Sequence, residues 1–231
     1  MTETAVTVGA HHLPGLLALD PGDRALVLFA HGSGSGRSSP RNREVAAVLR
    51  THRLATLQFD MLDAEEALDR QRVFDIPLLA RRLAEVIDWT RRHPATSALP
   101  LVLFGASTGA AAALVASALR PGRVQAIVAR GGRPDLAGGA LPAVTAPTLL
   151  IVGGTDLDVL DLNRQAVERM RAPVRLEVVP GASHLFSEPG KLERVATLAA
   201  HWFVDHLPDA TPPVLRAAVP DAKSAGLVAQ R

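Results

Sequence analysis

The sequence predicts a three-layer α/β protein: a mostly parallel sheet with helices on both faces. Three observations carry this. From Ala25 onward, apolar runs of strand length alternate with amphipathic stretches of helix length. Small-residue turns follow several of those runs, as strand-to-helix connections require. His31, Ser107, Asp156 and His184 all fall just beyond predicted strands, at the carboxyl ends where parallel sheets carry their functional loops.

Each element has a local reason. Ala5–Val8 and Leu16–Leu19 flank Leu13-Pro14-Gly15-Leu16, which reads as a hairpin. Ala25–Ala30 (ALVLFA) is a buried strand ending in the loop His31-Gly32-Ser33-Gly34-Ser35-Gly36. Ser39 is positioned to cap a helix that starts at Pro40 and runs to about Thr51. Ala55–Phe59 is the next strand. The charged stretch Asp60–Asp75 then leads into an amphipathic helix over about Ile76–Arg92. Leu101–Phe104 is a strand, Ser107 sits in the turn, and Thr108–Leu119 is a helix of small residues. Val124–Ala129 is a strand followed by a Gly/Pro-rich loop to Pro147. Thr148–Val152 is a strand, Val159–Met170 a helix, and Val174–Val179 a strand. After a loop holding His184, a last helix reaches about His206. Residues 1–207 read as one domain and 208–231 as a Pro/Ala-rich tail.

Composition excludes several classes. The pI of 9.9 suggests nucleic acid, yet the net charge is only +2, with no Cys and no Tyr. Little titrates between pH 8 and 10, so the pI drifts upward without a large positive field. Acidic and basic residues also intermix along the chain, so nucleic-acid binding is not expected. The absence of cysteine rules out disulfides, thiolate catalysis and Cys-ligated zinc. With no HExxH pair either, no metal and no cofactor are expected. Leu99–Leu119 carries no charge, but Pro100, Gly105, Ser107, Thr108 and Gly109 divide it into strand, turn and helix, so no membrane span is expected. The start, Met1-Thr2-Glu3-Thr4, lacks the features of a secretory signal, and a cytoplasmic location is the default expectation. The oligomeric state stays open, a homodimer among the options.

The chemistry centres on Gly105-Ala106-Ser107-Thr108-Gly109, a G-x-S-x-G motif between a strand and a helix. Such a turn lifts the serine Oγ clear of the sheet edge. A serine nucleophile needs a base, and His184, in Pro180-Gly181-Ala182-Ser183-His184, is the histidine that follows the last predicted strand. The base needs an orienting carboxylate. Asp156 is preferred because it gives the chain order Ser, Asp, His; Asp158 is the rival, and Asp135 a weaker one. The oxyanion of an acyl-transfer intermediate needs donors. The Thr108 N–H, at the start of a helix, is one. The second is expected from the His31-Gly32-Ser33-Gly34 loop, Ser33 before Gly34. This loop lacks both the Gly-Lys-Ser/Thr ending and the G-x-G-x-x-G spacing of phosphate-binding loops. His31 and Arg130 are candidate substrate contacts, and Arg133 shares the Arg130 loop.

The stretches HGSGSGRSSPRN (31–42), FDIPLLARRL (74–83), LFGASTGAAAAL (103–114), ARGGRPDL (129–136), LLIVGGTDLDVLDLN (149–163) and VPGASHLF (179–186) resemble the dienelactone hydrolase-like group of α/β-hydrolases. Some members of that group are joined to phosphoribosyltransferase domains. The resemblance implies a Ser107, Asp156, His184 triad and an oxyanion hole beside His31-Gly32. One departure is the nucleophile: dienelactone hydrolases use cysteine, where this chain has Ser107. The expected activity is hydrolysis of small, soluble carboxylic esters or lactones. The segment between Ala129 and Thr148 is too short for a large lid, whereas Asp60–Asp75 has the length for a small flap. Thioester hydrolysis or acyl transfer would use the same residues, and a catalytically silent protein-binding module is the alternative of a different class.

Overall fold

The structure is a computed structural model describing residues 3–208. Eight strands form a single sheet in the order β1-β2-β4-β3-β5-β6-β7-β8. They are β1 (Glu3–Val8), β2 (Leu13–Ala18), β3 (Ala25–Ala30), β4 (Leu54–Phe59), β5 (Leu101–Ala106), β6 (Ile127–Arg130), β7 (Thr148–Gly153) and β8 (Val174–Val179). β1 and β2 are antiparallel to their neighbours; from β4 to β8 every pairing is parallel. The helices are α1 (Pro40–Thr51), α2 (Arg70–Val73), α3 (Ile76–Arg92), α4 (Thr108–Leu119), α5 (Leu157–Arg169) and α6 (Lys191–Asp205). The expected tail, beyond Pro208, lies outside the described residues.

Strand alternation sorts the core into two layers. In β3, Ala25, Val27 and Phe29 pack with Val45 and Leu49 of α1 and Val195 and Phe203 of α6. Leu26, Leu28 and Ala30 face the other way, with Leu79 and Leu83 of α3 and Ala111 and Leu114 of α4. The same period-2 split recurs in β5, Val102 and Phe104 against Leu101 and Leu103. α5 covers the α3/α4 face through Leu160, beside Val152 of β7. Burial on both faces is why the central strands read as continuous apolar runs.

Helix ends follow local chemistry. Ser39 Oγ accepts from Asn42 N–H at 3.4 Å ahead of Pro40, and Asp75 Oδ1 accepts from Leu78 N–H at 2.9 Å at the start of α3. The uncharged run Leu99–Leu119 divides into β5 and α4, and no helix of the described residues is long and apolar enough to cross a membrane.

Two expectations need correction. The N-terminal hairpin exists, but its turn is Gly9–His12, with left-handed backbone at Gly9 (φ 70°) and His12 (φ 53°). Pro14-Gly15 lies inside β2, where Pro14, which has no N–H to offer the ladder, accepts from Asp60 N–H at 3.1 Å through its carbonyl. The strand expected over Val124–Ala129 is β6, starting at Ile127. Gln125 and Ala126 make only single bonds to β5, to Leu101 and Leu103.

The stretch between β4 and α3 folds as a small flap containing a 3₁₀ turn (Glu66–Leu68) and α2. A partly buried ion cluster pins it: Glu66 Oε1 accepts from the buried Arg82 of α3 at 2.7 Å and from the exposed Arg72 at 2.8 Å. Between β6 and β7 there are only short 3₁₀ turns within Pro134–Ala143, broken by a kink at Gly138.

Candidate active site

Ser107 occupies the turn between β5 and α4 with φ 50° and ψ −120°. Positive φ is costly for a residue with a Cβ, on the order of 1–3 kcal/mol, and is held where surrounding structure dictates it. Here the dictation is visible. Ser107 N–H donates to the Arg130 carbonyl at 3.1 Å, and the Ser107 carbonyl accepts from Ala110 N–H and Arg133 N–H at 3.1 Å each. At Gly109, a Cβ would lie 2.2 Å from the Ala30 carbonyl oxygen and 2.4 Å from that of His31. Only glycine lets α4 start this close to β3.

His184 is delivered by the turn after β8. Both Glu188 carboxylate oxygens accept from Ser183 N–H at 3.1 Å, and hydrogen bonding, first from the Ser183 side chain and then from backbone N–H groups, holds the carboxyl below its ordinary range. The same turn is fastened to the end of β7: Thr155 N–H and Oγ1 both donate to the Ala182 carbonyl, at 3.0 and 2.8 Å. Gly153 permits the approach, since a Cβ there would meet the carbonyl oxygens of Ala182 and Ser183 at 2.4 and 2.5 Å. The β7 and β8 loops are therefore bonded directly to each other, and they carry Asp156 and His184.

The three side chains meet. His184 Nδ1 lies 2.7 Å from Asp156 Oδ2, and His184 Nε2 lies 3.3 Å from Ser107 Oγ. An ionised Asp156 can only accept, so Nδ1 carries the proton and Nε2 is left to accept from the serine hydroxyl. Asp156 precedes α5 but makes no capping bond to it, so its carboxylate is turned to the histidine. Asp158 is exposed on the first turn of α5, and Asp135 is held by Arg133 through two bonds of 2.9 and 2.8 Å. Of the three acids weighed from sequence, Asp156 alone contacts His184.

The other candidates fall differently. Thr108 opens α4, where an N–H has no partner within the helix. Its Oγ1 accepts from Ser33 N–H at 2.9 Å, so the first-choice loop donor is engaged with the neighbouring side chain. Gly34 follows in an exposed turn at φ 67°, closed by Ser35 N–H to the Gly32 carbonyl at 3.2 Å. His31 lines a cavity, but both its nitrogens are in use. Met61 N–H donates to Nε2 at 3.1 Å, which leaves Nδ1 to donate to the Gly32 carbonyl at 3.0 Å. Burial lowers its pKa, and the neutral ring ties the β3 and β4 loops together. Arg130 is buried at the end of β6 beside Ser107 and His184. Arg41, on the first turn of α1, borders the same pocket; no sequence signal near it marks that location, which tertiary packing alone creates. A larger, mainly apolar cavity of 590 Å³ lies on the other side of the Gly32–Ser35 turn. Flap residues Met61, Leu62, Ala67 and Val73 wall it, with Leu79 of α3.

A parallel α/β sheet with a serine, a histidine and a carboxylate joined at its carboxyl edge defines a hydrolase fold. The chain belongs to the α/β-hydrolase family: that family's alpha/beta hydrolase domain matches residues 23–203. It is 54% identical to a dienelactone hydrolase from Anabaena variabilis, whose crystal structure superposes with a TM-score of 0.86 over 90% of this chain and 98% of that one. Est1E from Butyrivibrio proteoclasticus shares the fold at 15% identity, with a TM-score of 0.73 over 89% of this chain and 99% of its own. Two Mycobacterium tuberculosis proteins that carry the provisional name phosphoribosyl transferase are 55% identical over 205 residues, 89% of this chain. The chain spans 46% of their length.

Proposed function

We propose that the chain is a serine hydrolase that cleaves small carboxylic esters or lactones through an acyl-enzyme. The observation that carries this reading is the relay from Asp156 through His184 to Ser107, at 2.7 and 3.3 Å. In this reading His184 Nε2 takes the Ser107 proton as Oγ attacks the ester carbonyl, then returns it to the departing alkoxide. Asp156 fixes the tautomer and stabilises the imidazolium without taking the proton. The developing oxyanion accepts from Thr108 N–H at the positive end of α4. Ser33 N–H joins once substrate draws it away from Thr108 Oγ1, and Gly34 N–H is the fallback. Water at the vacated position repeats the sequence on the acyl-enzyme.

The dienelactone hydrolase name of the Anabaena relative supports ester or lactone chemistry. We assign the transferase name of the mycobacterial relatives to the part of those proteins beyond the matched segment, because the segment shared with this chain is the hydrolase domain and covers only 46% of their length. Labelling with a fluorophosphonate probe, together with a panel of esters, lactones and thioesters of graded acyl length, tests the proposal. Rapid stoichiometric labelling at Ser107 with turnover of at least one ester class is expected. An unlabelled, inert but folded protein would instead favour a silent binding module.

A further inference from the structure

Two pockets flank the Gly32–Ser35 turn, and they differ in chemistry. The larger is the apolar cavity under the flap. The smaller, of 240 Å³, is lined by Ser107, His184, Asn42, Leu185, Arg41 and Arg130, so it opens directly on the serine hydroxyl. Arg130 is 7% exposed. Among the described residues its side chain makes one long hydrogen bond, from Nη1 to the Leu185 carbonyl at 3.5 Å, and its Nε is buried without a partner. The half-buried Arg41 also has a buried, unpartnered Nε.

Two neighbouring cations with no counter-charge are an expensive arrangement. A buried ion without a partner costs several kcal/mol, and here the two guanidiniums also repel each other. Burial first, and then the charge of Arg41, bring Arg130 down to about 10. Asp60 is paired with Arg37, Asp156 with His184, and Glu188 with Ser183 N–H; Glu44 and Glu193 line a separate pocket with Arg41 and Glu188 and form no ion pair with Arg41. Among the described residues neither arginine has an ion-pair partner. The N-terminal turn of α1, with Asn42 3% exposed, forms part of the same wall and adds the positive end of a helix.

We propose that this pocket is an oxyanion subsite: it receives a carboxylate or phosphate carried by the substrate close to the scissile carbonyl, with Arg130 and Arg41 as the donors. Both guanidiniums can present a planar fork to such a group. This rests on the reading of Ser107 as nucleophile, and it narrows the substrate to anionic esters whose apolar portion reaches into the larger cavity.

The test compares mono-4-nitrophenyl glutarate with 4-nitrophenyl pentanoate, which differ by a terminal carboxylate in place of a methyl. Wild-type protein is expected to favour the glutarate in kcat/KM, and each of Arg41→Gln and Arg130→Gln to cut that preference by about 10- to 100-fold. A second arm uses Ser107→Ala protein and titration calorimetry with glutarate and with inorganic phosphate, which also separates the two anion types. Saturable binding of either anion, abolished by adding Arg41→Gln, supports the subsite even if neither ester is turned over. Should Arg130→Gln fail to fold, Arg41→Gln, at a partly exposed position, still decides the matter. Equal turnover of both esters with no anion binding overturns the subsite and leaves the esterase reading standing.

Discussion

Replacing Gly109 by alanine should test how tightly the nucleophile turn is built. The added Cβ would sit 2.2 and 2.4 Å from two backbone carbonyl oxygens, those of Ala30 and His31, where a comfortable contact is about 3.5 Å. Neither oxygen can rotate away, so α4 and the end of β3 must separate by about 1 Å. Overpacking of this kind costs about 3 kcal/mol, and the gain in helix propensity from Gly to Ala returns at most about 1 kcal/mol. The net loss is about 2 kcal/mol, or a fall of about 4–8 °C in Tm for a domain of this size. Because Ser107 sits at the moving junction, a displacement of about 1 Å should also lower kcat/KM by about 10²-fold. Thermal unfolding and the rate of fluorophosphonate labelling measure the two effects. A Gly109→Ala protein as stable as wild type and labelled at the same rate would show that the close approach of α4 to β3 does not set the geometry of the turn.

Ser107→Ala should retain the fold by circular dichroism, lose probe labelling and lower ester turnover by about 10³-fold or more; wild-type turnover would refute the covalent route. Asp156→Asn should reduce turnover by about 10⁴-fold through the wrong imidazole tautomer, whereas Asp158→Asn should stay within about twofold. The reverse ranking would move the acid to Asp158. His31 is held below its ordinary value of 6.5 by burial, so below that pH the unfolded chain binds more protons than the folded one. Its contribution to stability is complete above about pH 6.5 and declines as pH falls towards the folded value. Urea midpoints measured between about pH 7.5 and pH 5 should therefore drop, and His31→Gln should flatten that slope; an unchanged slope in the variant would assign it to other groups.

Where local chemistry punctuates the chain, the sequence was a good guide to the fold. Pro40–Thr51, Ile76–Arg92, Thr108–Leu119 and Val174–Val179 have the bounds expected of them, because a cap, a proline or a small-residue turn marks every boundary but the one at Thr51, which His52 and Arg53 follow. The meeting of Ser107, Asp156 and His184 was legible because parallel topology places the ends of β5, β7 and β8 on one edge. Features decided by tertiary contact were not legible. Pro14-Gly15 resembles a turn, yet pairing with β1 and β4 keeps it in a strand. His31 looks free to meet substrate, but the Met61 N–H that occupies it is thirty residues away in sequence. Arg41 lies on an ordinary first turn of helix, and only tertiary packing brings it to the pocket that Arg130 also lines.

The flap between β4 and α3 separates two properties that enzymes often inherit together. It walls the apolar cavity through Met61, Leu62, Ala67 and Val73, yet it supplies none of Ser107, Asp156 or His184. Its main ionic tether is the Glu66 cluster with Arg72 and Arg82. Residues in this stretch can be lengthened, shortened or exchanged to reshape what is admitted, while the sheet edge that holds the reacting groups stays as it is. In the proposed reading, the apolar part of selectivity and the chemistry are thus written in different parts of the chain, and a library confined to residues 62–74 that keeps Glu66 and Arg72 would vary the first while leaving the second in place.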